Sequence, residues 1–384
     1  MVRILFTSLA SYGHVYPLLP LASAARDAGH EVVFATASDF HPTLEKAGLE
    51  PAAAGLTLQE AFGQVFAGDT RSRYEVPQEE LNEAIGKAFG HLLPTRFMTD
   101  LAPVLAEWKP DLVVYEMGNP GGAFAAHQAG IPAVAHGFGR VSSDGPMGHI
   151  IERIDAFAAE VGLDGSNKSF WGHPFVDICP PSVQAPEFLA EARRVPLRPV
   201  GWSEPGELPS GIEGRDRSRP LAYLTLGTTG ASQAHLLTSA LQGLAALDVD
   251  VLVATGPAVD VAALGEVPSN VRLEAWVPQS ELLPHVDLVV HHGGSGTTLG
   301  AFSAGVPQLV LPQGADQFTN ADAVVEAGAG AKLVGDELTT DAVRESAGRL
   351  LADHTVAEAV RRLAEEVSGM PSPEEVAAQL PQYT

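Results

Sequence analysis

Leu288-Val289-Val290-His291-His292-Gly293-Gly294-Ser295-Gly296-Thr297-Thr298-Leu299 reads as a buried apolar strand, Leu288 to His291, that breaks into two glycines and restarts as a Ser-Gly-Thr-Thr helix opening. Small residues with no basic side chain among them leave backbone N–H groups bare at a helix N-terminus. The aligned peptide dipoles there favour an anion such as a phosphate. The same residues also suit any strand-to-helix turn, because Gly, Ser and Thr cap helices and permit tight turns. The flanks separate the two readings. Upstream, Trp276-Val277-Pro278-Gln279 sets an aromatic face beside an amide, suited to stacking on a base and hydrogen-bonding to it. Downstream, after the apolar run Gln308 to Leu311, Asp316-Gln317 offers two polar side chains suited to sugar hydroxyls. Base reader, phosphate cradle and hydroxyl binder thus follow one another in the order of the parts of a nucleotide-sugar.

Strands are expected at Leu221–Leu226, Val249–Thr255, Val271–Glu274, Leu288–His291 and Gln308–Leu311, with helical runs such as 233–247 and 321–327 between several of them. The first half has the same architecture without the same sequence. Val2–Thr7 is a strand, 8–16 a loop, Leu18–Asp27 a helix ended by Gly29, and Glu31–Thr36 a second strand. Such a right-handed parallel unit puts His14 at the carboxyl end of its first strand, where open α/β sheets bind ligands. Asp111–Tyr115 is a further strand running into Glu116, with Gly118 to Gly122 opening a helix, so Glu116 falls at a carboxyl end of the same sheet. Between these strands 58–105 is helical in pattern and carries Phe62, Phe66, Phe89 and Phe97. After Ala133–Ala135 come Phe138, Phe157, Phe170, Trp171 and Phe175. Spaced aromatics of this kind pack a core or line an apolar pocket.

The chain has 384 residues, long for one core, and is 45% apolar and 18% charged, which is globular and divides by default into two domains. Eight prolines between Pro180 and Pro220, with the polar run 211–218, mark a linker at 201–220 between domains 1–200 and 221–368, with 369–384 as a closing segment. No apolar run reaches the roughly 20 residues of a membrane span. The start runs straight into a strand pattern, so a cytoplasmic protein without stable membrane association is expected. The single cysteine, Cys179, excludes an intramolecular disulfide. A net charge of −24 makes nucleic acid and acidic lipid poor partners. It also would not steer an anionic ligand inward, leaving a diphosphate to local dipoles and His292.

The run from Trp276 to Gln317 resembles the donor-binding signature of the GT-B glycosyltransferases, in particular the bacterial natural-product enzymes related to the UDP-glycosyltransferases. Gly13-His14 followed by Pro17-Leu18-Leu19 resembles their catalytic-histidine segment. The resemblance implies an α/β GT-B protein with two Rossmann-like doubly wound parallel-sheet domains facing across a cleft, the first binding acceptor and the second donor, and the last helix returning to the first. It implies an inverting, metal-independent transfer of a deoxysugar from a TDP- or UDP-sugar to a hydroxyl of a hydrophobic natural-product aglycone. No cofactor is expected beyond that nucleotide diphosphate sugar as co-substrate. The partners are these two small molecules, and a homodimer is left open. His14 would be the general base, and Glu116, where many members carry Asp, would accept its other ring N–H. Trp276, Val277 and Gln279 would hold the base. A charged His292 with Gly294, Ser295, Gly296 and Thr297 would hold the diphosphate, Thr228 would add a hydroxyl, and Asp316 and Gln317 would hold the sugar. Phe62, Phe66, Phe89, Phe138, Phe170 and Trp171 would line the aglycone pocket.

Other chemistries fit less well. A Rossmann oxidoreductase wants Gly-x-Gly-x-x-Gly after its first strand, where Ser11-Tyr12-Gly13-His14 stands. A glycosidase needs two carboxylates about the scissile bond. A non-catalytic helper of a partner enzyme would be expected to lose the histidine or the phosphate turn. A sugar epimerase of the same fold would act on donor without acceptor. The cation-binding form Asp248-Val249-Asp250 precedes a strand instead of following one, and His291 alternates away from His292 into the packing.

Overall fold

The computed structural model describes residues 1–68, 76–141, 146–163, 172–204, 206–227, 234–256 and 266–384. They divide into two compact units, one made of Met1–Cys179, Ala185–Leu197 and Pro371–Thr384, the other of Pro180–Gln184 and Arg198–Met370.

The first unit is built on seven strands: β1 (Arg3–Thr7), β2 (Glu31–Thr36), β3 (Glu50–Ala53), β4 (Leu112–Glu116), β5 (Ala133–His136), β6 (Phe175–Asp177) and β7 (Arg194–Pro196). Their order is β3-β2-β1-β4-β5-β6-β7, and every pair is parallel. Strands β4 and β5 are buried at every residue, as parallel strands covered on both faces must be, which is why they read as continuous apolar runs rather than alternations. The helix Leu93–Trp108 buries Phe97, Leu101 and Leu105 against one face, each contributing roughly 1.5–3 kcal/mol by removal from water. It ends where Lys109 turns left-handed ahead of Pro110. That helix lies against Pro120–Ala129, and the approach is close because Gly121 opens it: a Cβ there would stand 2.7 Å from both Phe97 Cβ and the Pro94 carbonyl. This packing fixes the loop from Glu116 to Asn119.

The second unit holds six strands, β8 (Leu221–Thr225), β9 (Asp250–Ala254), β10 (Val271–Glu274), β11 (Leu288–His291), β12 (Gln308–Val310) and β13 (Gly330–Lys332), in the parallel order β10-β9-β8-β11-β12-β13. The strand order reverses between β1 and β4 in one sheet and between β8 and β11 in the other. Ligands of doubly wound sheets bind beyond the carboxyl ends of strands at such reversals.

Strand β5 has no counterpart among the expected ones, and neither do four others, β3, β6, β7 and β13. These four are three or four residues long and contain Pro, Gly or charged residues, as in Arg194-Val195-Pro196 and Gly330-Ala331-Lys332. The expected loop 8–16 contains a one-turn helix, Tyr12–Val15, begun by the Ser11 carbonyl accepting from the N–H groups of His14 and Val15. Residues 201–220, expected as a linker, are counted instead with the second unit. Arg215 ties that segment down by pairing with Asp287 and donating to the carbonyls of His285 and Arg219. The last helix, Pro373–Ala377, opens with a Ser372/Glu375 capping box and packs on Leu19–Asp27 of the first unit. No described helix is long and apolar enough to cross a membrane.

Candidate active site

In the first unit His14 follows β1 and Glu116 ends β4, the two strands flanking the reversal. His14 Nδ1 lies 2.9 Å from Glu116 Oε2; the imidazole side chain is 19% exposed and the carboxylate 0%. The ring can therefore meet a ligand while its partner cannot. A second contact steadies the carboxylate, whose Oε1 accepts the Gly118 N–H. Sequence reasoning treated Gly118 only as part of a helix opening. A Cβ at that position would stand 2.8 Å from Glu116 Oε1 and 3.1 Å from His14 Cε1, so the glycine leaves room for both members of the pair. Phe138 sets its ring edge-to-face with His14 at a centroid distance of 4.9 Å. A proton on Nδ1 would face the carboxylate and leave Nε2 as the lone-pair nitrogen, the arrangement a general base needs.

Of the other aromatics expected to line a pocket, Phe62 stacks on Phe66 at 6.4 Å and meets Phe89 edge-on at 6.2 Å, forming one cluster. Phe89 also packs on the core. Phe170 and Trp171, like Thr228, lie outside the described residues.

In the second unit the helix Ser295–Ala304 starts after β11 with Gly294 as its N-cap and no side-chain cap. The N–H groups of Ser295, Gly296 and Thr297 precede any helical acceptor and stand open for an anion. His292 sits between two glycines: a Cβ on Gly227, which follows β8, would be 2.8 Å from its Cε1, and one on Gly294 would be 2.6 Å from its Nε2. Its Nδ1 is buried without a partner among the described residues. Burial lowers the His292 pKa, with Asp316 pulling the other way. Desolvation thus outweighs the one carboxylate nearby and works against the charged form in which His292 was expected to donate. His291 packs inward, its Nδ1 accepting the Gly293 N–H and its Nε2 donating to Gln308 Oε1 at 2.9 Å.

Four expected ligand contacts change their atoms. The Val277 side chain is buried in the core, which leaves only its backbone for a base. The Ser295 hydroxyl donates to Asp316 Oδ2 at 2.8 Å rather than outward. Gln279 Oε1 accepts from Thr297 Oγ1 at 3.2 Å and the Tyr223 hydroxyl at 3.4 Å, and Gln317 Oε1 accepts the N–H groups of Gln313 and Gly314. Both amides therefore keep their NH₂ groups for a ligand. Trp276 is 50% exposed, and a Cβ on Gly206 would come within 2.6 Å of the indole, so the ring lies against that backbone. Asp248 and Asp250 both pair with Arg219 at the amino end of β9, away from the strand ends that carry these groups. Among the described residues no three His, Cys, Asp or Glu side chains cluster as metal ligands do.

Tyr223 and Asn320 went unnoticed in the sequence. Asn320 was legible in part, since it stands four residues after Asp316 and so on the same helix face.

The two domains of the erythromycin biosynthesis protein CIII-like family match residues 23–205 and 238–382. The chain is 36% identical to the L-demethylnoviosyl transferase of Streptomyces niveus, covering 98% of this chain and 97% of that one. It is 33% identical to the elloramycin glycosyltransferase of Streptomyces olivaceus, over 99% and 97% of the two chains. Among solved structures, the glycosyltransferase SsfS6 of Streptomyces sp. SF2575 complexed with thymidine diphosphate aligns with a TM-score of 0.79 at 30% identity over the whole of both chains.

Proposed function

Because the chain belongs to the family of bacterial natural-product glycosyltransferases and has their GT-B fold, we propose that it inverts the anomeric centre of a thymidine-diphosphate deoxysugar while transferring it, without a metal, to a hydroxyl of a hydrophobic aglycone. The observation that carries this reading is the His14–Glu116 pair at the strand reversal, 2.9 Å apart with the imidazole alone reachable.

Glu116 holds Nδ1–H, and Nε2 takes the proton of the acceptor hydroxyl as its oxygen forms the new bond to the anomeric carbon. The bond from that carbon to the diphosphate oxygen breaks on the opposite face, so the configuration inverts. Negative charge then gathers on the departing diphosphate. The open N–H groups of Ser295, Gly296 and Thr297 oppose it, and His292 supplies a further donor. Trp276 and the NH₂ of Gln279 serve the base, Asp316 and the NH₂ of Gln317 the sugar. Phe138, against His14, is the aromatic best supported as an acceptor contact. Since the dipoles take the charge, no step is assigned to a cation. The thymidine-diphosphate complex of SsfS6 supports that nucleotide, and a cytoplasmic supply of nucleotide-sugar fits an enzyme of this kind.

The test is mass spectrometry of products from purified protein with TDP- and UDP-linked sugars and a panel of polyketide aglycones, with EDTA present. The expected result is a glycoside of inverted configuration, formed without a partner protein and faster from the TDP-sugar. Donor hydrolysis or epimerisation at the same rate without aglycone would assign an epimerase or hydrolase instead. Turnover only after a second protein is added would assign a helper.

A further inference from the structure

We propose that Asn320 is a positioning residue that locks the carboxylate of Asp316 to the diphosphate turn, so that sugar and diphosphate are gripped by one rigid piece; this rests on the donor half-site proposed above. Asn320 is 3% exposed on the helix Gln317–Glu326. Its Nδ2 donates to the Gly293 carbonyl at 2.8 Å, to Ser295 Oγ at 3.0 Å and to Asp316 Oδ2 at 3.0 Å. An amide NH₂ has two hydrogens, so three acceptors at these distances share them, and all three are held in one place. Ser295 closes the lattice by donating its own proton to the same Asp316 oxygen at 2.8 Å.

The lattice joins two loops that leave the paired strands β11 and β12 and adds side-chain bonds to the close approach of Gly293 to the Gln317 backbone. Gly293 and Ser295 belong to the turn after β11. Asp316 arrives on a separate loop, directly after Ala315, which has a left-handed φ of 52° that an alanine adopts only under support. The loop is braced by Gln317 Oε1, which accepts the N–H groups of Gln313 and Gly314, but the Asp316 carboxylate makes no capping bond of its own. With Oδ2 committed to Asn320 and Ser295, Oδ1 is the oxygen Asp316 has for a sugar hydroxyl, and its position relative to the N–H groups of Ser295 to Thr297 is set by Asn320. Thymidine diphosphate alone needs the turn and the base contacts at Trp276 and Gln279; the complete donor needs Asp316 in register with them as well.

The distinguishing measurement is the affinity of the full-length protein for TDP and for a TDP-sugar, each without aglycone, by titration calorimetry. Asn320→Ala is expected to weaken the TDP-sugar by about 10-fold or more but TDP by about threefold or less, the scale of buried hydrogen bonds lost at the sugar end only. Because Asn320 acts through Asp316, the Asn320→Ala/Asp316→Ala double variant should discriminate sugar-bearing from bare nucleotide no worse than Asp316→Ala alone. Ser295→Ala, which removes one hydroxyl of the lattice, should move the same ratio by about two- to threefold, and it serves if Asn320→Ala does not fold. Equal weakening of both ligands in each variant, or losses that add in the double variant, would overturn the role given to Asn320. Failure of the unaltered protein to bind either nucleotide would instead overturn the donor site itself.

Discussion

The two half-sites occupy matching places and are made of different material. In each sheet the strand order reverses between two strands, β1 and β4 or β8 and β11, and the functional groups follow their carboxyl ends. The first half-site is two side chains, one imidazole and one carboxylate. The second is mostly backbone, a helix start and its neighbours laced together by Asn320, Ser295 and Gln279. A group that moves a proton must be one atom at one place, whereas a group that holds a spread negative charge gains from many weak donors. Function is therefore concentrated in one unit and distributed in the other, and substitutions should act accordingly.

The sharpest break of that contrast is His14→Ala. Loss of the single proton acceptor is expected to lower kcat by roughly 10²- to 10⁴-fold while the donor KM stays within a few-fold of its starting value. Steady-state kinetics with donor and acceptor varied separately would show it. A comparable rise in donor KM would place His14 in the structure rather than in the chemistry, and the division of labour would fall with it.

A smaller effect is expected from Gly118→Ala, which removes no functional group. Its Cβ would press on Glu116 Oε1 and His14 Cε1, 2.8 and 3.1 Å away, and force the pair apart. A drop in kcat of about 10-fold with donor affinity kept is the outcome a misaligned base predicts. Were kcat untouched, the His14–Glu116 spacing would matter less than the imidazole itself. The same kind of added Cβ on Gly294, against His292, belongs to the other half-site and should act on donor KM first.

How much of this was legible beforehand follows the same division. Strand β4 and the residue after β1 are readable because parallel buried strands announce themselves as apolar runs, so His14 and Glu116 could be placed at one sheet edge from the sequence. Edge strands such as β7, with two prolines' worth of interruption near Val195, could not be, because their pairing depends on neighbours rather than on their own pattern. The turn after β11 was legible as a helix start. What its side chains do was not: Ser295 looked free to meet a phosphate, yet its proton goes to Asp316, a residue 21 positions away that only the tertiary fold brings near. Val277 next to an exposed Trp276 looked like part of the same surface, but the core took its side chain. Phe62, Phe66 and Phe89 were spaced along the chain as a wall would be, and Phe62 stacks on Phe66 and meets Phe89 edge-on.

The least localised expectation treats the two units alike. Each ends a sheet strand in a fully buried histidine: His136 on β5, pushed down to about 4 by burial, and His291 on β11, pushed down to about 3 by burial with His292 adding to the shift. Folded, both stay neutral above their depressed values; unfolded, both protonate below the ordinary imidazole value of 6.5. Between that value and the depressed one the unfolded chain binds more protons, so stability is complete above pH 6.5 and is lost as pH falls, by up to roughly 1.4 kcal/mol per pH unit for each ring. Urea unfolding between pH 7.5 and 5 should show that decline. His291→Gln, which has no proton to gain, should start less stable at pH 7 and fall less steeply. A variant curve parallel to that of the unaltered protein would mean that the ring in the second unit is not the neutral, desolvated group that its contacts with Gly293 and Gln308 describe.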